Sequence, residues 1–160
     1  LFTKDIDLKE LILKLNDIVI NNTKGEKFIT LFIAKYNCKT KEINYINCGH
    51  NPPILFDTQR KKAAYLMNGC IGLGMLNKIP KIKQGLVKVA RGSKLLCYTD
   101  GLVEVENESM MEFGTEEIEN AVTSHEKIDG SIKEIISKVD QHRGTKSFFD
   151  DISIIAMELY

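Results

Sequence analysis

Residues 27–56 read KFITLFIAKYNCKTKEINYINCGHNPPILF, and they alternate between strand and turn signals throughout. Phe28-Ile29-Thr30-Leu31-Phe32-Ile33-Ala34 is rich in β-branched and aromatic residues, and Ile43-Asn44-Tyr45-Ile46-Asn47 alternates apolar with polar. Asn37 to Lys41 joins them as a short polar hairpin. Gly49-His50-Asn51-Pro52-Pro53 is a rigid turn, because each proline fixes φ and removes a backbone donor. Ile54-Leu55-Phe56 then opens a second hairpin, closed by Ala63-Ala64-Tyr65-Leu66 around Asp57 to Lys62. Such short connections make the sheet antiparallel.

On the N-terminal side, Leu8, Leu11, Ile12, Leu15, Ile18 and Val19 recur at helical spacing. Asp7 is placed to cap this helix with Glu10 completing a capping box, and Asn21-Asn22 and Gly25 stop it, giving a helix over 8–21. On the C-terminal side Gly69, Gly72 and Gly74 read as a turn, Ile82 to Val89 as a strand, and Arg91-Gly92-Ser93 as a turn into a strand over Leu95 to Thr99. A short segment with Leu102, Val103 and Val105 follows, then a helix from Thr115 and another over Ile128 to Val139. Gly144 to Ser147 is a loop, and Phe148 onward is the last strand. Hairpins flanked by grouped helices define an α+β layered domain, here one domain spanning 1–160.

Composition narrows the function classes. Lys plus Arg is 22 and Asp plus Glu is 22, so the chain lacks the basic footprint of a nucleic-acid binder. No apolar run approaches the ~20 residues of a membrane span. Cys38, Cys48, Cys70 and Cys97 show no zinc spacing and read as free buried thiols in a reducing, cytoplasmic setting. The chain opens at Leu1 without an initiator methionine, the reading expected of a piece of a longer protein.

Two acidic clusters carry the chemistry. Asp100-Gly101 follows the strand Leu95 to Thr99, and Asp150-Asp151 opens the run Ile152 to Met157. Carboxylates held at strand ends can grip a hard, oxygen-seeking cation such as Mg²⁺ or Mn²⁺ and support chemistry on a phosphate. An Asp-Gly after a strand is also an ordinary turn.

Four segments in order resemble the bacterial SpoIIE/RsbU-type serine phosphatase domain of the PP2C-like, metal-dependent (PPM) family. They are residues 27–56, LLCYTDGLVEVEN from Leu95 to Asn107, Phe113-Gly114, and DDISII from Asp150 to Ile155. The resemblance implies a PP2C-like αββα layered sandwich with mostly antiparallel sheets. It also implies a two-metal Mn²⁺ or Mg²⁺ site in the intact domain and hydrolysis of phosphoserine or phosphothreonine by a metal-activated water, with no protein nucleophile. It assigns Asp100 and Asp150 as metal ligands. Gly101 and Asp151 stand beside them, fixing the loop or reaching the metal themselves, and His50 braces its turn by hydrogen bonding rather than acting as a general acid.

The resemblance also implies an Asp that bridges the metals, in an N-terminal Gly-His-Gly-containing motif. Residues 1–26 do not supply it, and Asp5 and Asp7 sit at a helix start instead. The chain is thus expected to be the C-terminal two-thirds of the domain, N-terminally truncated, with a partial metal site and weak or no activity of its own. The partners expected are a phosphorylated, anti-anti-sigma-factor-like regulatory protein, an upstream sensor domain in the parent chain, and a second copy across an exposed sheet edge at Phe28 to Ala34. The alternative is a non-catalytic pseudophosphatase or protein-binding module.

The remaining features read as structural. Glu104, Glu106 and Glu108 are solvated charges, Met110-Met111 with Phe113 is either an apolar lip or core, and His125 and His142 have no assigned role.

Overall fold

The computed structural model describes residues 6–160, so Asp5 lies outside the described residues. In chain order the elements are α1 (Leu8–Thr23), β1 (Leu31–Asn37), β2 (Glu42–Cys48), β3 (Ile54–Asp57), β4 (Lys62–Tyr65), β5 (Gly69–Cys70), β6 (Gly85–Lys88), β7 (Ser93–Tyr98), α2 (Asp100–Val103), α3 (Glu116–Ser124), α4 (Ile128–Arg143) and β8 (Ile154–Leu159). They form two units, one of residues 6–52 with Leu66–Lys88, the other of Pro53–Tyr65 with Val89–Tyr160. The fold is mixed α+β with mostly antiparallel pairing, as the sequence leads one to expect.

In the first unit β2 is central. It pairs antiparallel with β1 from Leu31↔Cys48 to Asn37↔Glu42, antiparallel with β6, and parallel with the two-residue β5. Helix α1 presents Leu8, Ile12 and Val19 to Ile46, Cys48 and Leu73. Burying each large aliphatic side chain contributes about 1.5–3 kcal/mol. Asp7 caps α1 by accepting the Glu10 N–H at 3.0 Å, but Glu10 pairs with Lys14 at 2.6 Å, so the capping is one-sided. The helix runs two residues past the expected end, to Thr23, and Lys24 closes it in the left-handed region.

Two sequence expectations shift here. The first strand begins at Leu31, not Phe28. Ile29 makes only an isolated bridge to Leu73, and Phe28 and Ile29 are exposed. The turn at Gly69 contains a strand, because Gly69 can lie directly against Asn47. Among the described residues β1 pairs with β2 alone and is an edge strand.

In the second unit the strand order is β4-β3-β7-β8, all antiparallel. Ile54 and Phe56 of β3 and Leu96 and Tyr98 of β7 share one face at period two, and pack with Ile118, Ala121, Val122, Ile135 and Val139 of α3 and α4. Lys94 occupies the next inward position of β7, opposite Phe56, and is fully buried. Its ammonium donates to Val122 O at 2.9 Å and to His125 O, closing the C-terminal end of α3, and lies 5.4 Å from the Phe56 ring centre. The last strand starts at Ile154 rather than Phe148, which leaves Asp150-Asp151 on the preceding loop. No described helix is long and apolar enough to cross a membrane.

Candidate functional site

The β7–β8 ladder ends at Tyr98↔Ile154, and Thr99 takes over from it. The Thr99 N–H donates to Ser153 O at 3.1 Å, and its hydroxyl donates to Asp151 O at 3.2 Å and accepts the Ser153 N–H at 3.0 Å. A side chain thus replaces a ladder carbonyl, and the chain leaves the sheet just where the acidic pairs stand. Asp100 opens α2, and Gly101 follows with its backbone pressed onto the other acidic pair. A Cβ on Gly101 would fall 2.6 Å from Asp151 O and 3.4 Å from the Asp150 Cβ. The two segments, far apart in sequence, therefore meet at Gly101.

The two aspartates share a local geometry. Asp100 Oδ1 accepts the Gly101 N–H at 3.1 Å, and Asp150 Oδ1 accepts the Asp151 N–H at 2.7 Å. These bonds orient each carboxylate and leave its second oxygen without a protein donor among the described residues. Asp100, Asp150 and Asp151 are all exposed, and none has an ion pair among the described residues. A carboxylate oxygen of this kind is a donor suited to a hard divalent cation. Among the described residues no group of three or more His, Cys, Asp or Glu is arranged to hold a metal ion. The donors present fit a hard cation in kind, as two aspartates and not as a complete ligand set.

Two clefts flank Asp150. One, of about 390 Å³, is mainly apolar and lined by Leu102, Ile135, Val139 and Phe148 with Asp150 and Asp151. The other, of about 520 Å³, has Gly101, Glu104, Glu106, Lys146 and Phe149 around Asp150. The loop between α4 and β8 shapes both. Arg143, at the end of α4, holds it by donating from Nη1 to Lys146 O at 2.8 Å and by lying 4.7 Å over the Phe148 ring. Lys146 pairs with Glu106 at 3.2 Å, and the Thr145 hydroxyl donates to Glu108 at 3.3 Å. Sequence reading passed over Arg143; its only signal was a cation in the last turn of a helix.

The other candidates resolve as follows. In the first unit the turn after β2 is braced by Asn47, not by the His50 ring. Asn47 Oδ1 accepts the His50 N–H at 2.8 Å and its Nδ2 donates to His50 O at 2.9 Å, while the ring reaches only the Thr30 hydroxyl, at 3.5 Å. Buried Asn47 could be suspected from sequence as an asparagine in a strand just before a Gly-containing turn. Glu106 and Glu108 are tied to Lys146 and Thr145 rather than simply solvated. Phe113 is core, whereas Met110 and Met111 are exposed. His125 pairs with Glu134 at 2.5 Å, and His142 packs edge-on to Phe113 and bonds Met111 O at 2.9 Å. Cys38 is exposed, contrary to the expected burial.

The Stage II sporulation protein E (SpoIIE) family matches residues 1–160, and the chain belongs to that family. Protein IcfG of Synechocystis sp. is 27% identical over 132 residues, covering 81% of this chain and 20% of its own length. The chain thus spans about a fifth of that relative. Among solved structures, the RsbU and RsbW domains of a Mycobacterium tuberculosis protein superpose with a TM-score of 0.74 at 20% identity, over 96% of this chain and 42% of that one. RsbX in complex with magnesium gives 0.68 at 22% identity, over 97% and 66%. The manganese-presoaked phosphatase domain of SpoIIE from Bacillus subtilis gives 0.66 at 14% identity, over 98% and 68%. These likenesses establish the PP2C-like phosphatase fold.

Proposed function

We propose that this member of the SpoIIE family is a Mn²⁺- or Mg²⁺-dependent protein serine/threonine phosphatase domain, acting on a phosphorylated regulatory protein of the anti-anti-sigma-factor class in bacterial signalling. The observation that carries the reading is the close approach of Asp100-Gly101 to Asp150-Asp151, two acidic segments held together with no cation from the described residues between them. The magnesium and manganese named with RsbX and the Bacillus subtilis SpoIIE phosphatase domain support the choice of metal.

A phosphoserine monoester is inert in water, so the reaction needs an activated water and neutralised phosphoryl charge. Bound divalent metal supplies both. Asp100 and Asp150 would hold the metal through the oxygens not engaged by Gly101 and Asp151. Gly101 lets the backbone of α2 close onto Asp151, and Asp151 offers its carbonyl to Thr99, so the two segments stay in register. The clefts on either side of Asp150 are where the substrate chain would lie. Control by a sensor domain of the parent protein and a cytoplasmic location complete the proposal.

The test pairs Mn²⁺ titration by calorimetry with hydrolysis of p-nitrophenyl phosphate. Asp100→Asn and Asp150→Asn should each weaken Mn²⁺ binding by roughly 10- to 100-fold or more, with folding preserved by circular dichroism. Unaltered Mn²⁺ affinity in both variants would refute the ligand assignment. The second reading, a non-catalytic binding module, draws on the lack of a three-ligand cluster among the described residues. A folded chain that neither binds Mn²⁺ nor hydrolyses the ester would decide for it.

A further inference from the structure

We propose that Cys48 and Cys70 are a built-in site of reversible disulfide formation, oxidised by a hydroperoxide. β5 runs parallel to β2, with Asn47 opposite Gly69 and Cys48 opposite Cys70. Two close backbone approaches bracket the cysteines. On one side Asn47 O lies 1.6 Å from where a Gly69 Cβ would be, and on the other Gly72 N lies 3.0 Å from where a Gly49 Cβ would be. Any side chain at residue 69 would push the strands apart. The register is also tied by Asn47 N–H to Asn68 O at 2.9 Å and Lys83 N–H to Gly69 O at 3.0 Å.

Held this way, the two sulfurs face each other at 3.5 Å, with the Cys70 thiol donating to Cys48. Neighbouring strands lie about 4.8 Å apart, inside the Cα separation of about 4.4–6.8 Å that a disulfide spans. Closing the bond needs the sulfurs to approach to about 2.05 Å, a movement that side-chain rotation can supply. Cys48 is wholly buried and Cys70 half-buried, so Cys70 is the sulfur an oxidant reaches first. Burial pushes both thiols above their ordinary range, which makes the reaction slow and dependent on a supplied peroxide.

The chemistry balances as follows. The Cys70 sulfur attacks the peroxide, the O–O bond breaks, and a sulfenic acid and one water (or alcohol) result. The Cys48 sulfur then attacks the Cys70 sulfur, the S–S bond forms, the S–O bond breaks, and the hydroxide departs as water with the Cys48 proton. Two thiols are oxidised and one peroxide is reduced, and a small thiol reverses the bond by exchange. The bond would tie β2 to β5 beyond the Gly49–Pro52 turn, whatever reaction the chain performs.

The test uses the chain carrying Cys38→Ser and Cys97→Ser, treated with hydrogen peroxide, unfolded, alkylated and measured by mass. Expected is a loss of about 2 Da, no alkylation, one cross-linked peptide joining residues 48 and 70, and full reversal by dithiothreitol. Adding Cys48→Ser should abolish the cross-link and leave a Cys70 sulfenic acid trappable by dimedone. The wild-type chain, digested after the same treatment, checks the pairing with all four cysteines present. Thiols that remain alkylatable after peroxide treatment and unfolding, bonds only between molecules, or overoxidation of Cys70 without a bond would each overturn the proposal.

Discussion

Replacing Gly101 with alanine sets two physical effects against each other. Gly101 lies within α2, where alanine is the better helix former by about 0.5–1 kcal/mol. Because α2 has only four residues, the gain falls at the low end of that range. Against it stands a new Cβ 2.6 Å from Asp151 O and 3.2 Å from the Asp151 carbonyl carbon, both backbone atoms that no side-chain rotation can move aside. Relieving the contact means displacing the Asp150-Asp151 loop, whose carbonyl accepts from Thr99 and whose next residues bond it through Ser153. Overpacking of this kind costs about 1–3 kcal/mol, so Gly101→Ala should be destabilised by roughly 0.5–2.5 kcal/mol net. For a chain of this length that lowers Tm by about 2–4 °C for each kcal/mol. Urea denaturation measures the stability change, and a Mn²⁺ titration of the same variant should show weaker binding, since the clash falls between the two aspartates. A variant as stable as the parent, with unchanged Mn²⁺ affinity, would refute the claim that Gly101 is the contact joining the acidic segments.

Two further outcomes follow from particular side chains. The buried Tyr98 hydroxyl has no hydrogen-bond partner among the described residues, and burial first, then the nearby Tyr65 and Glu119, pushes its pKa up to about 12 from 10. An acid with a raised folded pKa adds stability that is full below pH 10 and is lost as pH rises towards about 12, because the unfolded chain ionises first. Tyr98→Phe should therefore lie within about 1 kcal/mol of wild type at neutral pH and lose up to roughly 3 kcal/mol less across that alkaline window. Urea midpoints on both sides of the window check this, and an equally steep alkaline loss in the variant would count against it. Arg143→Ala should speed amide exchange across residues 144–150 while α4 stays protected, at a cost of about 1–2 kcal/mol, because it removes the Lys146 carbonyl contact and the Phe148 stacking. Unchanged protection of that loop, read by hydrogen-exchange mass spectrometry, would contradict the role given to Arg143.

Elements whose order depends on local pattern were legible in the chain itself. Leu8 to Val19 at helical spacing produced α1, and Asp7 caps it as read. Ile43 to Asn47 and Leu95 to Tyr98 fall within β2 and β7. The misplaced boundaries have tertiary causes. β8 starts at Ile154 because the Thr99 hydroxyl, a residue distant in sequence, intercepts the Ser153 N–H. β5 exists because glycine at position 69 permits contact with Asn47, which no local propensity signals. Lys94 breaks the apolar pattern of its strand, yet it is buried because the open carbonyls at the end of α3 lie above it.

The candidate site divides along the same line. The residue types on which the proposed cation site is built, Asp100-Gly101 after one strand and Asp150-Asp151 before another, stand in the sequence. Family membership likewise follows from the sequence, through the match over residues 1–160. That the two pairs touch at Gly101, that the second sits on a loop held by Arg143, and that each aspartate keeps one oxygen without a protein donor among the described residues were decided only in three dimensions. The physical reason is range. Strand alternation, helix periodicity and capping act between residues a few positions apart, whereas an antiparallel ladder brings together Tyr98 and Ile154, and such pairing is what carries the segment of Asp100 to that of Asp150.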